Sequence, residues 1–324
     1  MTAGATTVPR LADVHEAAGR IASHVRRTPL LRIAALPGIL LKAEHLQRSG
    51  SFKARGACNA MLARHAKRVV TGSSGNHGLA VAALGAAAGA HVTVVMAADA
   101  SAAKATAIGR LGAEVVFVAG GVADRERHAR DLARAAGAIF MPSSDDELVV
   151  AGQGSVALEV FADAPGLDAI YVPTGGGGLL AGTCLAACSL NRAVKVIGVE
   201  PAAGPRYARS LAAGRPVTIP PPDTIADGLR GQRPGEVPFA IISRRADALI
   251  SVSDDAISQA TELLRSHGIA AEPSGGVALA GALESGFAGQ VAVVVSGGNT
   301  PASLARTFPA PLTQSRKGRS HDRS

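Results

Sequence analysis

RVVTGSSGNHGLAVAALGAAAGAHVTVVM, residues 68–96, contains the pattern that decides the fold. RVVTG (68–72) and HVTVVM (91–96) are short, apolar and rich in β-branched residues, as buried strands are. Between them GLAVAALGAAAGA (78–90) is alanine-rich and free of proline, which predicts a helix. Strand, glycine-rich turn, helix and strand make a βαβ unit, whose crossover requires parallel strands. Outward from this unit the rhythm continues. EVVFVA (114–119) and AIFMP (138–142) read as strands, with SAAKATAIGRLGA (101–113) and ADRERHARDLARAAG (123–137) as helices. It resumes in AIYVPT (169–174), VKVIGVE (194–200), ALISVS (248–253) and QVAVVVS (290–296). The expected class is α/β, with two open parallel sheets in place of one very wide one. Residues 68–145 would form a small domain, and 10–67 with 146–308 a large one. Parallel sheets bind ligands at the carboxyl ends of their strands, so the cleft between the domains is the expected active site. Residues 1–9 and 309–324 read as disordered tails. PVTIPPPDTIADG (216–228) reads as a long functional loop.

Composition excludes several classes. Apolar residues make up 47% and charged residues 18%, which fits a chain that buries a core. Aromatics are 3% with no Trp, which disfavours nucleic-acid binding by base stacking. The net charge of +8 includes +3 in residues 315–324, and the rest is interleaved with acids, so it marks a solvated surface. No segment reads as a signal peptide or a membrane span, so a cytoplasmic protein is expected. Cys58, Cys184 and Cys188 are an odd number in such a chain, and no disulfide framework is expected.

Three strands end in glycine-rich turns: SSGNHG (73–78), GGGGLLAG (175–182) and SGGN (296–299). Four glycines between a strand and a helix form a backbone nest at a helix N-terminus, a ready phosphate site. The same run also satisfies the dinucleotide pattern through Gly176, Gly178 and Ala181, with Glu200 where a ribose-binding acid would sit. A nicotinamide-dependent dehydrogenase therefore stays open at this point. LLKAEHLQRSGSFKARGA (40–57) discriminates. Lys53 sits at the start of a helix, whose dipole and partial burial lower an amine's pKa and favour the neutral form. A neutral amine is what a Schiff base requires. The chain has only six lysines against 27 arginines.

SGSFKARG, SSGNHG, GGGG and SGGN, in this order, resemble the fold-type II pyridoxal-phosphate enzymes of the tryptophan synthase β-like kind. Within these the chain is similar to the serine/threonine dehydratase and serine racemase branch. RTPL (27–30), AGQGSVALE (151–159), TIADG (224–228) and EPSGG (272–276) belong to the resemblance, which spans roughly residues 10–305. It implies a cofactor, pyridoxal 5'-phosphate, joined to Lys53, which then moves the substrate α-proton. It implies that Phe52 packs on the cofactor and Asn76 bonds its phenolic oxygen. Gly175, Gly176, Gly177, Gly178 and Leu179 would cradle the phosphate, and Ser296 would face the ring nitrogen. Ser73, Ser74, Gly75, Asn76 and His77, with backbone around Gly228, would take the substrate carboxylate. Ser74 would be the second acid/base of a racemase. The implied reaction is loss of water and ammonia from L-serine, L-threonine or another β-hydroxy amino acid such as 3-hydroxyaspartate. Racemisation on the same scaffold is the alternative, and a cofactor-binding protein without turnover a third. The implied partner is a small amino acid, and the implied assembly a homodimer.

Two departures stand out. Racemase-like members bind a divalent cation through an acid at the Glu200 position and a second acid six residues on; here the latter is Arg206, so no metal is expected. Arg125 resembles a residue serving acidic substrates in racemases, but its setting, DRERHARD, reads as a solvated helix face. About 30 residues follow QVAVVVS, too few for a feedback-sensing module.

Overall fold

The computed structural model describes residues 8–98, 100–190, 194–286 and 289–307. Of the tails expected over 1–9 and 309–324, all but Val8 and Pro9 fall outside that range, as does the side chain of Cys188.

The strands are β1 (Leu30–Leu31), β2 (Ile39–Lys42), β3 (Arg68–Gly72), β4 (His91–Ala97), β5 (Glu114–Val118), β6 (Ile139–Phe140), β7 (Ala169–Pro173), β8 (Lys195–Pro201), β9 (Ala248–Val252) and β10 (Val291–Val294). The helices are α1 (Leu11–Ile21), α2 (Lys53–Ala63), α3 (Asn76–Ala88), α4 (Ala102–Arg110), α5 (Val122–Ala135), α6 (Glu147–Asp163), α7 (Gly178–Leu190), α8 (Arg206–Ala212), α9 (Glu236–Arg245), α10 (Asp254–Ser266), α11 (Pro273–Ser285) and α12 (Pro301–Thr307). A 3-10 turn covers Asp227–Leu229. None of the helices is long and apolar enough to cross a membrane, among the described residues.

Two sheets form, as the strand rhythm predicts. One has six strands in the order β1-β2-β10-β7-β8-β9, the other four in the order β5-β4-β3-β6. Every pairing is parallel except β1 with β2, where Leu30 faces Lys42 across an antiparallel register. The strands at the centre of the large sheet are buried along their length because helices cover both faces. Residues of α6, α7 and α9 form the core on one side, and those of α10 and α11 the core on the other. In the small sheet, α3 and α4 cover one face and α5 the other. Ala57, Ala60 and Met61 of α2 and Leu304 of α12 pack into that small-sheet core, so segments from both sides of 68–145 support it. The strand expected over 138–142 is shorter than its apolar run. The strand ends at Phe140, the Met141 N–H makes one more bond to the Val70 carbonyl (2.9 Å), and Pro142 carries no N–H to continue the ladder.

Candidate active site

Lys53 is placed by its neighbours on both sides. Ser51 bridges Gly297, and the Phe52 N–H donates to the Ser296 carbonyl (3.1 Å), so the segment is pinned beside the end of β10. Gly50 turns with φ +73°, and a side chain there would overlap the Asn299 amide. The helix α2 then begins at Lys53 itself. Its Nζ donates to the Ser143 carbonyl (2.7 Å) and lies 5.1 Å from the Phe52 ring centre. The side chain as a whole is half-buried, and desolvation of the amine lowers its pKa to about 8.

The glycine turn between β7 and α7 is crowded on one side. Side chains on Gly176 and Gly177 would overlap Ser144 Oγ and the Tyr207 hydroxyl, and Gly177 has φ +95°. Tyr207 Oη donates to the Gly176 carbonyl (3.0 Å), as does the Gly235 N–H (3.2 Å). That carbonyl is thereby turned into the protein, while the first-turn N–H groups of α7, next to buried Leu179, lack intrahelical partners. Consecutive residues tie the two features together: Ser143 meets Lys53, and Ser144 meets Gly176 and Gly178. A desolvated amine beside a side-chain-free nest of donors fits an aldehyde that carries a phosphate.

The SSGNHG loop joins β3 to α3. Gly75 N–H donates to Ser73 Oγ (3.4 Å). Ser74 Oγ accepts from the Ala97 N–H (3.2 Å) and from Arg125 Nη1 (3.3 Å). Arg125 also donates through Nε to the Gly72 carbonyl (3.0 Å). The solvated face expected for DRERHARD is thus corrected at this position: α5 packs on β3, and its half-buried arginine reaches the turn at the strand's end. Asn76 starts α3, with its amide between Asn299 and Glu272. The His77 side chain is buried, with Nε2 3.2 Å from the Met141 carbonyl. Burial, with the charges of Lys53 and Arg125, lowers its pKa to about 3, so it is neutral.

Ser274 connects the remaining predicted groups. Its Oγ accepts from the Gly228 N–H (2.9 Å), and its carbonyl accepts from Ser296 Oγ (3.2 Å). The Gly228 carbonyl in turn lies 3.6 Å from where a Cβ on Gly175 would sit. The expected residues therefore belong to one connected set of contacts. Sequence reasoning passed over Ser143, Ser144, Glu272, Asn299 and an ion pair between Lys104 of α4 and Asp227 of the 3-10 turn, which spans the two sheets. The only signal for them was their place within or beside quoted motifs such as EPSGG and SGGN.

Glu200 is fully buried and accepts from the N–H groups of Tyr207 and Ala208 (3.0 Å each), at the start of α8. It is engaged there and turned away from any ribose, which removes the support for a dinucleotide site. Arg206, also fully buried, donates to the Leu229 carbonyl and so braces the turn that carries Gly228.

A family model for pyridoxal-phosphate dependent enzymes matches residues 21–298. The chain is 39% identical over 305 residues to an L-threo-3-hydroxyaspartate ammonia-lyase of Saccharomyces cerevisiae, covering 90% of this chain and 94% of that one. It is 35% identical over 320 residues to a serine racemase of Oryza sativa subsp. indica, covering 91% and 93%. The crystal structure of a T.th. threonine deaminase superposes with a TM-score of 0.86 at 41% identity, covering 90% of this chain and 99% of that one. The chain belongs to the pyridoxal-phosphate-dependent enzymes of fold type II, in the branch of ammonia-lyases and racemases whose chemistry is elimination or racemisation.

Proposed function

We propose that the protein is an ammonia-lyase for small β-hydroxy amino acids, with an acidic one such as 3-hydroxyaspartate preferred over L-serine and L-threonine. The observation that carries the preference is Arg125, a guanidinium brought to within 3.3 Å of the Ser74 hydroxyl at the substrate side of the cleft. A cation there suits a second carboxylate on the substrate. The 39% identity to the yeast hydroxyaspartate ammonia-lyase supports the same choice.

Lys53, Phe52, Asn76, the Gly175–Gly178 turn with Leu179, and Ser296 would hold the cofactor. Bound pyridoxal phosphate supplies the electron sink that acidifies the substrate's α-hydrogen. Lys53, with its lowered pKa, takes that proton at Nζ. Ser296 is a neutral hydroxyl where an aspartate would keep a ring nitrogen protonated, and the weaker sink favours prompt loss of the β-hydroxyl over reprotonation. Ser73, Ser74, Gly75, Asn76 and the His77 N–H orient the substrate carboxylate, with Gly228 closing the other side. The β-hydroxyl leaves as water with the proton that Lys53 took from the α-carbon, and hydrolysis by a second water then yields a 2-oxo acid and ammonia. The small amino acid meets the enzyme as a cytoplasmic homodimer in this reading.

A second reading, a serine- or aspartate-type racemase, is favoured by Ser74, whose oxygen accepts from two donors that would stabilise its deprotonated form. Ser74→Ala should then abolish racemisation while sparing elimination from the L-substrate. The lyase reading is tested by ammonia release. Arg125→Gln should lower kcat/KM for L-threo-3-hydroxyaspartate by about 10- to 100-fold, the worth of one charge-assisted hydrogen bond, and change L-serine turnover by less than about threefold. Equal losses on both substrates would remove the preference, and no ammonia from any hydroxy amino acid would remove the lyase.

A further inference from the structure

The Asn76 side chain is gripped from both ends. Its Oδ1 accepts from Asn299 Nδ2 (2.9 Å), which also donates to the Ser49 carbonyl (2.9 Å). Both Asn299 hydrogens are thereby in use, and the Asn76 oxygen is fixed toward them. The Asn76 nitrogen donates to Oε1 of Glu272. That nitrogen carries two hydrogens, and Glu272 takes one.

Glu272 itself is locked. It precedes α11, its N–H donates to the Gly297 carbonyl (3.1 Å), and its own carbonyl accepts from Gly275 (2.8 Å). A Cβ on Gly297 would overlap Glu272 Oε1 and stand 3.0 Å from Asn76 Nδ2. The carboxyl therefore rests on the glycine after Ser296, only 2% exposed. Such a group is costly to bury, and neither Lys53 nor Ser74 chemistry uses it. Burial and the facing Asp227 push its pKa up to about 7, against the Asn76 hydrogen bond and the charge of Lys104.

We infer that Glu272 is a positioning residue for the cofactor: by holding the Asn76 nitrogen it presents an N–H, and not the amide oxygen, to the cofactor's phenolic oxygen. The inference rests on the assignment of Asn76 to that oxygen in the proposed function. An amide turned the other way would set oxygen against oxygen, a repulsion where a hydrogen bond is needed. When ionised, Glu272 also places a negative charge one amide away from the phenolic oxygen, with Asp227 of like sign and Lys104 of opposite sign around it.

The test uses the resting holoenzyme, its cofactor absorbance across about pH 6–9 and its cofactor dissociation constant. Wild type should show a spectral transition near pH 7 that Glu272→Gln, which keeps an acceptor but loses the charge, abolishes. Glu272→Ala should weaken cofactor binding by about tenfold, one hydrogen bond's worth. In an Asn76→Ala background the same change should have less than about a twofold effect, because Glu272 acts through Asn76. A Glu272→Gln enzyme that titrates like wild type would overturn the inference, as would a Glu272→Ala loss undiminished in the Asn76→Ala background. Where Glu272→Ala does not fold, the Glu272→Gln titration decides. Failure of the wider reading looks different: wild type would then lack a Schiff-base absorbance that Lys53→Ala removes.

Discussion

Lys42 and Lys53 are both withdrawn from water, yet one builds the protein and the other, in the proposed function, holds the cofactor. Lys42, at the end of β2, is fully buried and donates to Glu159 Oε2 and to the Thr28 carbonyl, both at 2.6 Å. Arg55 shares Glu159 through Nη1 (2.7 Å) and grips Glu44 through Nε (2.8 Å) and Nη2 (2.7 Å). Two cations and two carboxylates thus balance. Burial lowers the Lys42 pKa, but Glu159 and Glu44 push back. Burial works against the Arg55 charge too, and there the two carboxylates prevail. Lys53 stands two residues from Arg55 and has a carbonyl and a phenyl ring for company. Among the described residues no carboxylate pairs with it. A buried cation with a counter-ion stays charged and inert. Without one, its pKa falls toward neutrality and a fraction of it becomes a free, nucleophilic amine.

The contrast is broken most forcefully at Lys53. Lys53→Ala should abolish ammonia release, by at least about 10⁴-fold, and remove the cofactor's Schiff-base absorbance. Its urea midpoint without cofactor should match or exceed wild type, since burying an amine without a counter-ion costs more than its hydrogen bond to the Ser143 carbonyl returns. A large fall in that midpoint would make Lys53 a structural residue like Lys42. Glu159→Gln should do the reverse. It strands Lys42 and half of Arg55, and should cost about 3–5 kcal/mol in urea unfolding. The folded fraction should still form the Schiff base normally. Loss of the Schiff base with stability intact would show that the network reaches the chemistry.

The same contrast explains what can be read before the structure. Lys53 and the three glycine turns announce themselves locally, because a helix start, a positive φ and a nest of N–H groups are properties of a few adjacent residues. The strands are legible for a similar reason: a parallel sheet covered on both faces leaves continuous apolar runs. Pairings are another matter. Nothing near Lys42 indicates Glu159, and nothing near Asn76 indicates Glu272 or Asn299. Arg125 defeats a sequence reading because α5 buries only Ala129 and Ala133 and looks solvated elsewhere. An arginine on the flank of such a helix is long enough to reach the Ser74 turn, and only the packing of α5 on β3 reveals that it does. In the proposed site the glycine turns and the SSGNHG loop are written in motifs, whereas Arg125 and Lys104, long side chains of the small sheet's helices, reach it only through tertiary geometry.

The smallest expected effect lies in the pH dependence of stability without cofactor. The Lys53 pKa is about 8 in the folded protein and 10.5 for an ordinary lysine. Between those values the unfolded chain binds a proton that the folded one does not, so this group makes unfolding harder as pH rises through the window. Below about pH 8 the amine is protonated in both states, and its burial penalty is at its largest and constant. Comparing wild type with Lys53→Met isolates the term. The gap between them, with the variant more stable, should close by at most about 1.4 kcal/mol per pH unit from pH 8 upward. Lys42→Met should show no such convergence toward wild type, because it removes a cation that Glu159 needs. If the Lys53→Met gap does not vary with pH, the amine is not desolvated, and the physical distinction between the two lysines is lost.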